Sequence, residues 1–121
     1  MIEVDCNDET QRLNITADQA LSSDDIQGIT RSIEAEACKL KPGFVVAVDF
    51  RGMWVNDPYL NEGLKLLQEA LLNCGARKIG TLLDNPSMQM RLTQEGQKTR
   101  SNEITKRFYD EQAWEAYLAQ P

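Results

Sequence analysis

The sequence predicts an α/β fold, a single domain over residues 1–121 with strands and helices in the order β-β-α-β-α-β-α-β-α. Three observations lead there. The chain has 121 residues, the length of one domain. Two short runs, Phe44–Phe50 and Arg77–Leu83, are rich in branched apolar side chains, as strands covered on both faces are. Beside them, apolar residues recur at helical spacing, and proline and glycine mark the ends. Strands separated by helices pair in parallel through right-handed crossovers. The expectation is a mixed five-stranded sheet with an antiparallel N-terminal hairpin, parallel central strands and four helices.

The elements follow in order. Ile2-Glu3-Val4-Asp5-Cys6 alternates apolar and polar, and Arg12-Leu13-Asn14-Ile15-Thr16 alternates again. Asn7-Asp8-Glu9-Thr10 between them is turn chemistry, so residues 2–17 read as a hairpin. Ile26, Ile29, Ile33, Ala37 and Leu40 form a helix stripe. Ser22 or Ser23 caps its start, Asp24 and Asp25 suit the positive end of its dipole, and Pro42-Gly43 stops it. The first buried strand comes next. Leu60, Leu64, Leu67, Leu71 and Cys74 mark a second helix, with Asp57 as cap, Pro58 in the first turn and Gly75 at its end. After the second buried strand, Asn85-Pro86 opens a third helix through about Gly96, with Met88 and Leu92 inward. Residues 97–102 read as a loop, and Glu103–Phe108 as an edge strand whose Lys106 and Arg107 guard against further pairing. Asp110 caps a last helix with Ala113, Trp114, Tyr117 and Leu118 inward.

Composition narrows the chemistry. There is no histidine, which removes Ser-His-Asp and Cys-His nucleophile pairs and the commonest transition-metal ligand. Cys6, Cys38 and Cys74 are odd in number and far apart, against a disulfide framework or a structural zinc site. Cys38 and Cys74 fall on apolar stripes and read as small core residues. No signal peptide opens the chain and no apolar run approaches the roughly 20 residues of a membrane span. The expected setting is a reducing cytoplasm. The net charge of −6 is uneven: residues 1–36 carry nine acids and two bases, whereas residues 76–107 carry three acids and seven bases. An acidic chain of this kind is not expected to bind nucleic acid or anionic membranes.

The order of elements resembles the STAS domain, and the residues more closely resemble the bacterial STAS-like (SpoIIAA-like, anti-anti-sigma factor-like) proteins. The resemblance is carried by Lys41-Pro42-Gly43-Phe44-Val45-Val46 leading to Asp49-Phe50-Arg51-Gly52-Met53, by Gly75-Ala76-Arg77-Lys78-Ile79, by Met88-Gln89-Met90-Arg91-Leu92, and by the closing helix from Phe108 to Leu118. It covers nearly the whole chain. It implies five strands and four helices, no cofactor, and a regulatory, partner-binding role. One departure matters. Anti-anti-sigma factors carry a phosphorylatable serine at the helix start that follows the strand ending in aspartate. From Arg51 through Gly80 this chain has no serine or threonine. The phosphate switch therefore does not carry over.

Ligands of open α/β sheets gather outside the carboxyl ends of the parallel strands. Two loops converge there and lead into helix N-termini, which favour anions. Arg51, Asn56, Asn85, Ser87 and Arg91 are the candidate ligands of a small anionic or polar molecule. The competing reading makes Asp57 and Asn85 plain caps and pairs Arg51 with Asp49. Met53, Trp54 and Val55, with Tyr59 just beyond, lie in a turn-forming stretch as candidate partner-binding residues. The alternative is that they fold back as a lid on the core. Asp49 and Asp84 end adjacent strands, a weak signal for metal-assisted hydrolysis. No phosphate-cradling glycine loop accompanies them. The reading favoured is a non-enzymatic STAS-like interaction module, with no catalytic or metal-binding residues, that engages a protein partner or forms a homodimer. A small-ligand binder is the second.

Overall fold

A computed structural model of the chain describes residues 2–18, 20–52, 54–55, 60–84, 90, 93, 97 and 101–120. Among them the fold is α/β, with a five-stranded mixed sheet and three helices. The elements are β1 (Ile2–Asn7), β2 (Arg12–Ala17), β3 (Ala20–Leu21), α1 (Ser23–Ala37), β4 (Val45–Asp49), β5 (Trp54–Val55), α2 (Leu60–Asn73), β6 (Lys78–Leu82), a 3-10 turn (Ser101–Glu103), β7 (Thr105–Phe108) and α3 (Glu111–Ala119). The main sheet runs β1-β2-β4-β6-β7. β1 and β2 are antiparallel, and the remaining pairs are parallel.

Local chemistry explains each boundary. The Asn7 Oδ1 accepts from the backbone N–H of Glu9 and Thr10, closing the hairpin turn, and Gln11 leaves it at φ 52°. Ser22 and Asp25 form a capping box at the start of α1. α1 ends at Ala37, before Leu40, because the N–H groups of Lys39 and Leu40 bond three residues back to Glu36 and Ala37 and tighten the last turn. α2 ends at Gly75 (φ 98°): Ala76 donates to the Leu71 carbonyl and Gly75 to that of Leu72, a Schellman motif. Gly43 N–H bonds the Gly75 carbonyl at 2.7 Å, which ties together the loops that enter β4 and β6.

The pleat of the central strands separates two cores. Val46, Val48 and Ile79 face α1 and α2 and pack with Leu13, Ile15, Ile29, Ile33, Leu64, Leu67 and Leu71. Val45, Ala47 and Leu82 point the other way and pack with Trp114 and Leu118 of α3. Gly80 makes that second contact possible: a Cβ there would lie 2.9 Å from Leu118 Cδ2 and 3.2 Å from Tyr117 Cδ2. The Trp114 indole Nε1 donates to the Gly80 carbonyl at 2.9 Å. Lys78, buried at the start of β6, donates its ammonium to the carbonyls of Tyr117 and Gln120, at 2.6 and 2.7 Å, and lies over the Tyr117 ring. It thereby satisfies the C-terminal carbonyls of α3, where a cation is favoured. Burial, with Arg77 and Arg12 nearby, pushes its pKa down from the usual lysine value.

Several expectations are corrected. Cys38 is not in the core: it caps α1, is exposed, and its thiol donates to the Glu34 carbonyl. Cys74 is half-buried. Ala113 is exposed, so α3 buries only Trp114 and Leu118 fully, with Tyr117 half-buried. Arg107 is not an outward guard on the edge strand. Strand alternation sends Lys106 to solvent and draws Arg107 inward, where Nη2 donates to Asn102 Oδ1. Residues 101–103 form a 3-10 turn within the expected loop, and Gln97 is helical. The stretch read as a turn at Met53-Trp54-Val55 contains β5, which pairs in parallel with β3 as a small second sheet. The caps Asp57 and Asn85, and most of the expected third helix with Met88 and Leu92, lie outside the described residues.

Gly80→Ala is expected to destabilise the fold by about 1–3 kcal/mol, because α3 must move off the sheet. Lys78→Ala is expected to cost about 2 kcal/mol through the loss of two charge-assisted hydrogen bonds. Urea unfolding followed by circular dichroism measures both.

Candidate functional site

The carboxyl ends of β4 and β6 lie side by side, with Phe50 N–H bonded to the Leu82 carbonyl at 2.9 Å. Asp49 ends β4 and points to the face that α3 covers. Arg51 folds back over it: Nε lies 3.1 Å from Oδ1 and Nη2 lies 2.8 Å from Oδ2, a bidentate pair. The Arg51 backbone N–H also donates to Oδ1. The third guanidinium nitrogen, Nη1, is 3.5 Å from Glu111 Oε2 in the first turn of α3. Burial opposes the charge of Asp49, but the Arg51 hydrogen bonds outweigh it and hold the carboxyl below the usual aspartate range. The same contact with Asp49 raises the Arg51 pKa. Pairing of Arg51 with Asp49, one of the two readings of the sequence, is therefore what the structure shows.

Asp84 follows β6 and reaches across to the other loop. Its Oδ2 accepts the Gly52 N–H at 2.8 Å. Gly52 sits at φ 76°, a conformation that a side chain would strain. The two strand-end aspartates thus hold the loop after β4 from two sides, one through Arg51 and one through Gly52. Among the described residues no cluster of three acidic or thiol side chains is placed to hold a metal ion.

Of the candidate anion ligands, Arg51 is placed by the structure, and Asn56, Asn85, Ser87 and Arg91 lie outside the described residues. Of the candidate partner-binding residues, Met53 and Tyr59 lie outside them as well. Trp54 and Val55 have described backbones only, and these pair with Ala20 and Leu21. The small sheet so formed immediately precedes both α1 and α2. Next to it in the fold, an open groove of about 160 Å³ runs between the two helices, lined by Ile26, Gln27, Thr30, Arg31, Gly63 and Leu66. Gly63 lets the helices approach here, since a Cβ would come within 2.8 Å of Ile26 Cγ2. Leu66 is 48% exposed. Its signal was present in the sequence, as a leucine off the apolar stripe of α2. Glu111, by contrast, left no signal.

Among the described residues no helix is long and apolar enough to cross a membrane. Comparison with protein-family models and with curated proteins finds no match to this chain.

Asp49→Asn is expected to lower the melting temperature by about 3 °C at pH 7, the scale of a half-exposed ion pair. The folded pKa of Asp49 is depressed, so its contribution is complete above the unfolded carboxyl range, near pH 4, and is lost as pH falls through the folded value. The gap between wild type and variant should therefore close in acid, as measured by thermal melts across pH.

Proposed function

We propose that the protein is a STAS-like interaction module, without catalytic activity, that engages a protein partner or a second copy of itself. The observation that carries this reading is the use made of the strand-end aspartates. Asp49 is held bidentately by Arg51, and Asp84 accepts a backbone N–H, so both carboxylates serve the loop that follows β4. A catalytic pair would need those oxygens free for a metal or a substrate proton. The sheet order β1-β2-β4-β6-β7, with an antiparallel hairpin at one edge and parallel strands beyond, agrees with the STAS-like resemblance. Fold alone does not assign a role. The interaction surface is taken to be the β3–β5 sheet and the groove between α1 and α2, where Leu66 is exposed and Trp54 lies on the adjacent strand. Exposed apolar side chains beside a groove suit a partner that covers them.

The test compares the wild-type chain with Trp54→Ala and Leu66→Lys. Both variants should keep the wild-type circular dichroism spectrum and lose association about tenfold or more, in sedimentation equilibrium or in pull-down on the immobilised chain. Variants that are folded and associate like wild type in both measurements would overturn the reading.

A further inference from the structure

The inward turn of Arg107 creates a site unrelated to the strand-end cluster. Arg107 lies on β7, and its side chain enters the space between the sheet and α2. A cavity of about 20 Å³ is found there, lined by Phe50, Leu67, Gln68, Thr81, Thr105 and Arg107 among others. That is room for one water-sized occupant, not for a phosphate. Gln68 and Thr81 are both more than nine-tenths buried.

The guanidinium is held in one orientation. Asn102 donates its amide to the Thr93 carbonyl at 3.0 Å, which turns Oδ1 toward Arg107, and Oδ1 accepts from Nη2 at 2.7 Å. Nε, fully buried, has no acceptor. A buried donor left in this state costs free energy, and a buried cation costs more unless a negative charge lies beside it. Among the described residues no carboxylate pairs with Arg107. Asn102 supplies an acceptor but no charge. Burial also works against the positive charge, pushing the Arg107 pKa down from its usual value.

The geometry points to a binding site for a small monovalent anion, of the size of chloride, against Nε of Arg107 in the cavity between β6, β7 and α2. Three features select this occupant. Arginine keeps its charge at all physiological pH and is weakly hydrated, so it accepts a soft, singly charged ion readily. The cavity volume excludes polyatomic anions such as phosphate. The threonine and glutamine side chains around it supply dipoles for a desolvated ion, while the apolar floor keeps bulk water from screening the charge. A neutral water would satisfy Nε but would leave the charge uncompensated.

The experiment uses the full chain. Thermal melts in sodium chloride and in sodium gluconate at matched ionic strength separate specific binding from screening, because gluconate is too large to enter. With chloride ten times above its dissociation constant, the wild-type midpoint should lie about 5 °C higher than in gluconate. Arg107→Met should melt at the same temperature in both salts. Equal wild-type midpoints in the two salts, or a chloride response that persists in the variant, would overturn the assignment. Should Arg107→Met not fold, crystals of the wild type soaked in bromide decide the matter. An anomalous peak beside Nε supports the site, and a map without one refutes it.

Discussion

The docking of α3 on β6 rests on the missing side chain of Gly80. A helix can lie on the second face of a sheet only if the strand beneath admits its side chains, and here Leu118 and Tyr117 occupy the space a Cβ would take. The close approach then allows two polar contacts that a looser helix could not make. Trp114 reaches the Gly80 carbonyl, and Lys78 reaches the last carbonyls of α3. Each satisfies a group that would otherwise be buried without a partner. Together they pin the helix at its middle and its C-terminus.

That placement carries to the strand ends. With its C-terminus over Lys78, α3 runs back along β6 and delivers Glu111 to Arg51. The Arg51 guanidinium is therefore held between carboxylates from two elements, and it in turn fixes Asp49. Asp84 holds Gly52 from the other side. The result is a structured exit from β4 leading to the small β3–β5 sheet. The region that an enzyme of this architecture would use for chemistry is occupied by bonds that shape a loop. Loops shaped in this way present a defined surface, which is what an interaction module needs. The exposed Leu66 and the α1–α2 groove lie on the helical layer adjoining that surface.

The two sides of the sheet treat their polar residues differently. Lys78 and Arg107 are both basic residues drawn inward from β6 and β7. Lys78 finds the partial negative charge of a helix end. Arg107 finds one amide oxygen and a cavity. The contrast explains why one reads as a structural cap and the other as a site. Both belong to the basic stretch of residues 76–107, so part of that local positive charge is used within the fold rather than displayed on its surface.

Much of the fold was legible in the residues themselves. The alternation in residues 2–17, the stripes of α1 and α2, the branched runs of β4 and β6 and the stop at Gly75 are local signals, and each marks an element found in the structure. They depend on backbone propensity and on which face turns inward, and both are written at helical or strand spacing. The pairing of Arg51 with Asp49 was also within reach, because the two are close in sequence. Other features had no local signal. The β3–β5 pairing joins two-residue segments more than thirty positions apart, too short to show a pattern. The exposure of Cys38 depends on where α1 stops, the inward course of Arg107 on the register of β7, and the Glu111–Arg51 contact on the docking of α3. The sequence by itself determined the strands, the helices and their order, since those follow from short-range periodicity. The tertiary structure alone decided which charges are paired, which are buried and which cavity they face, because those depend on distances between elements that no local pattern encodes.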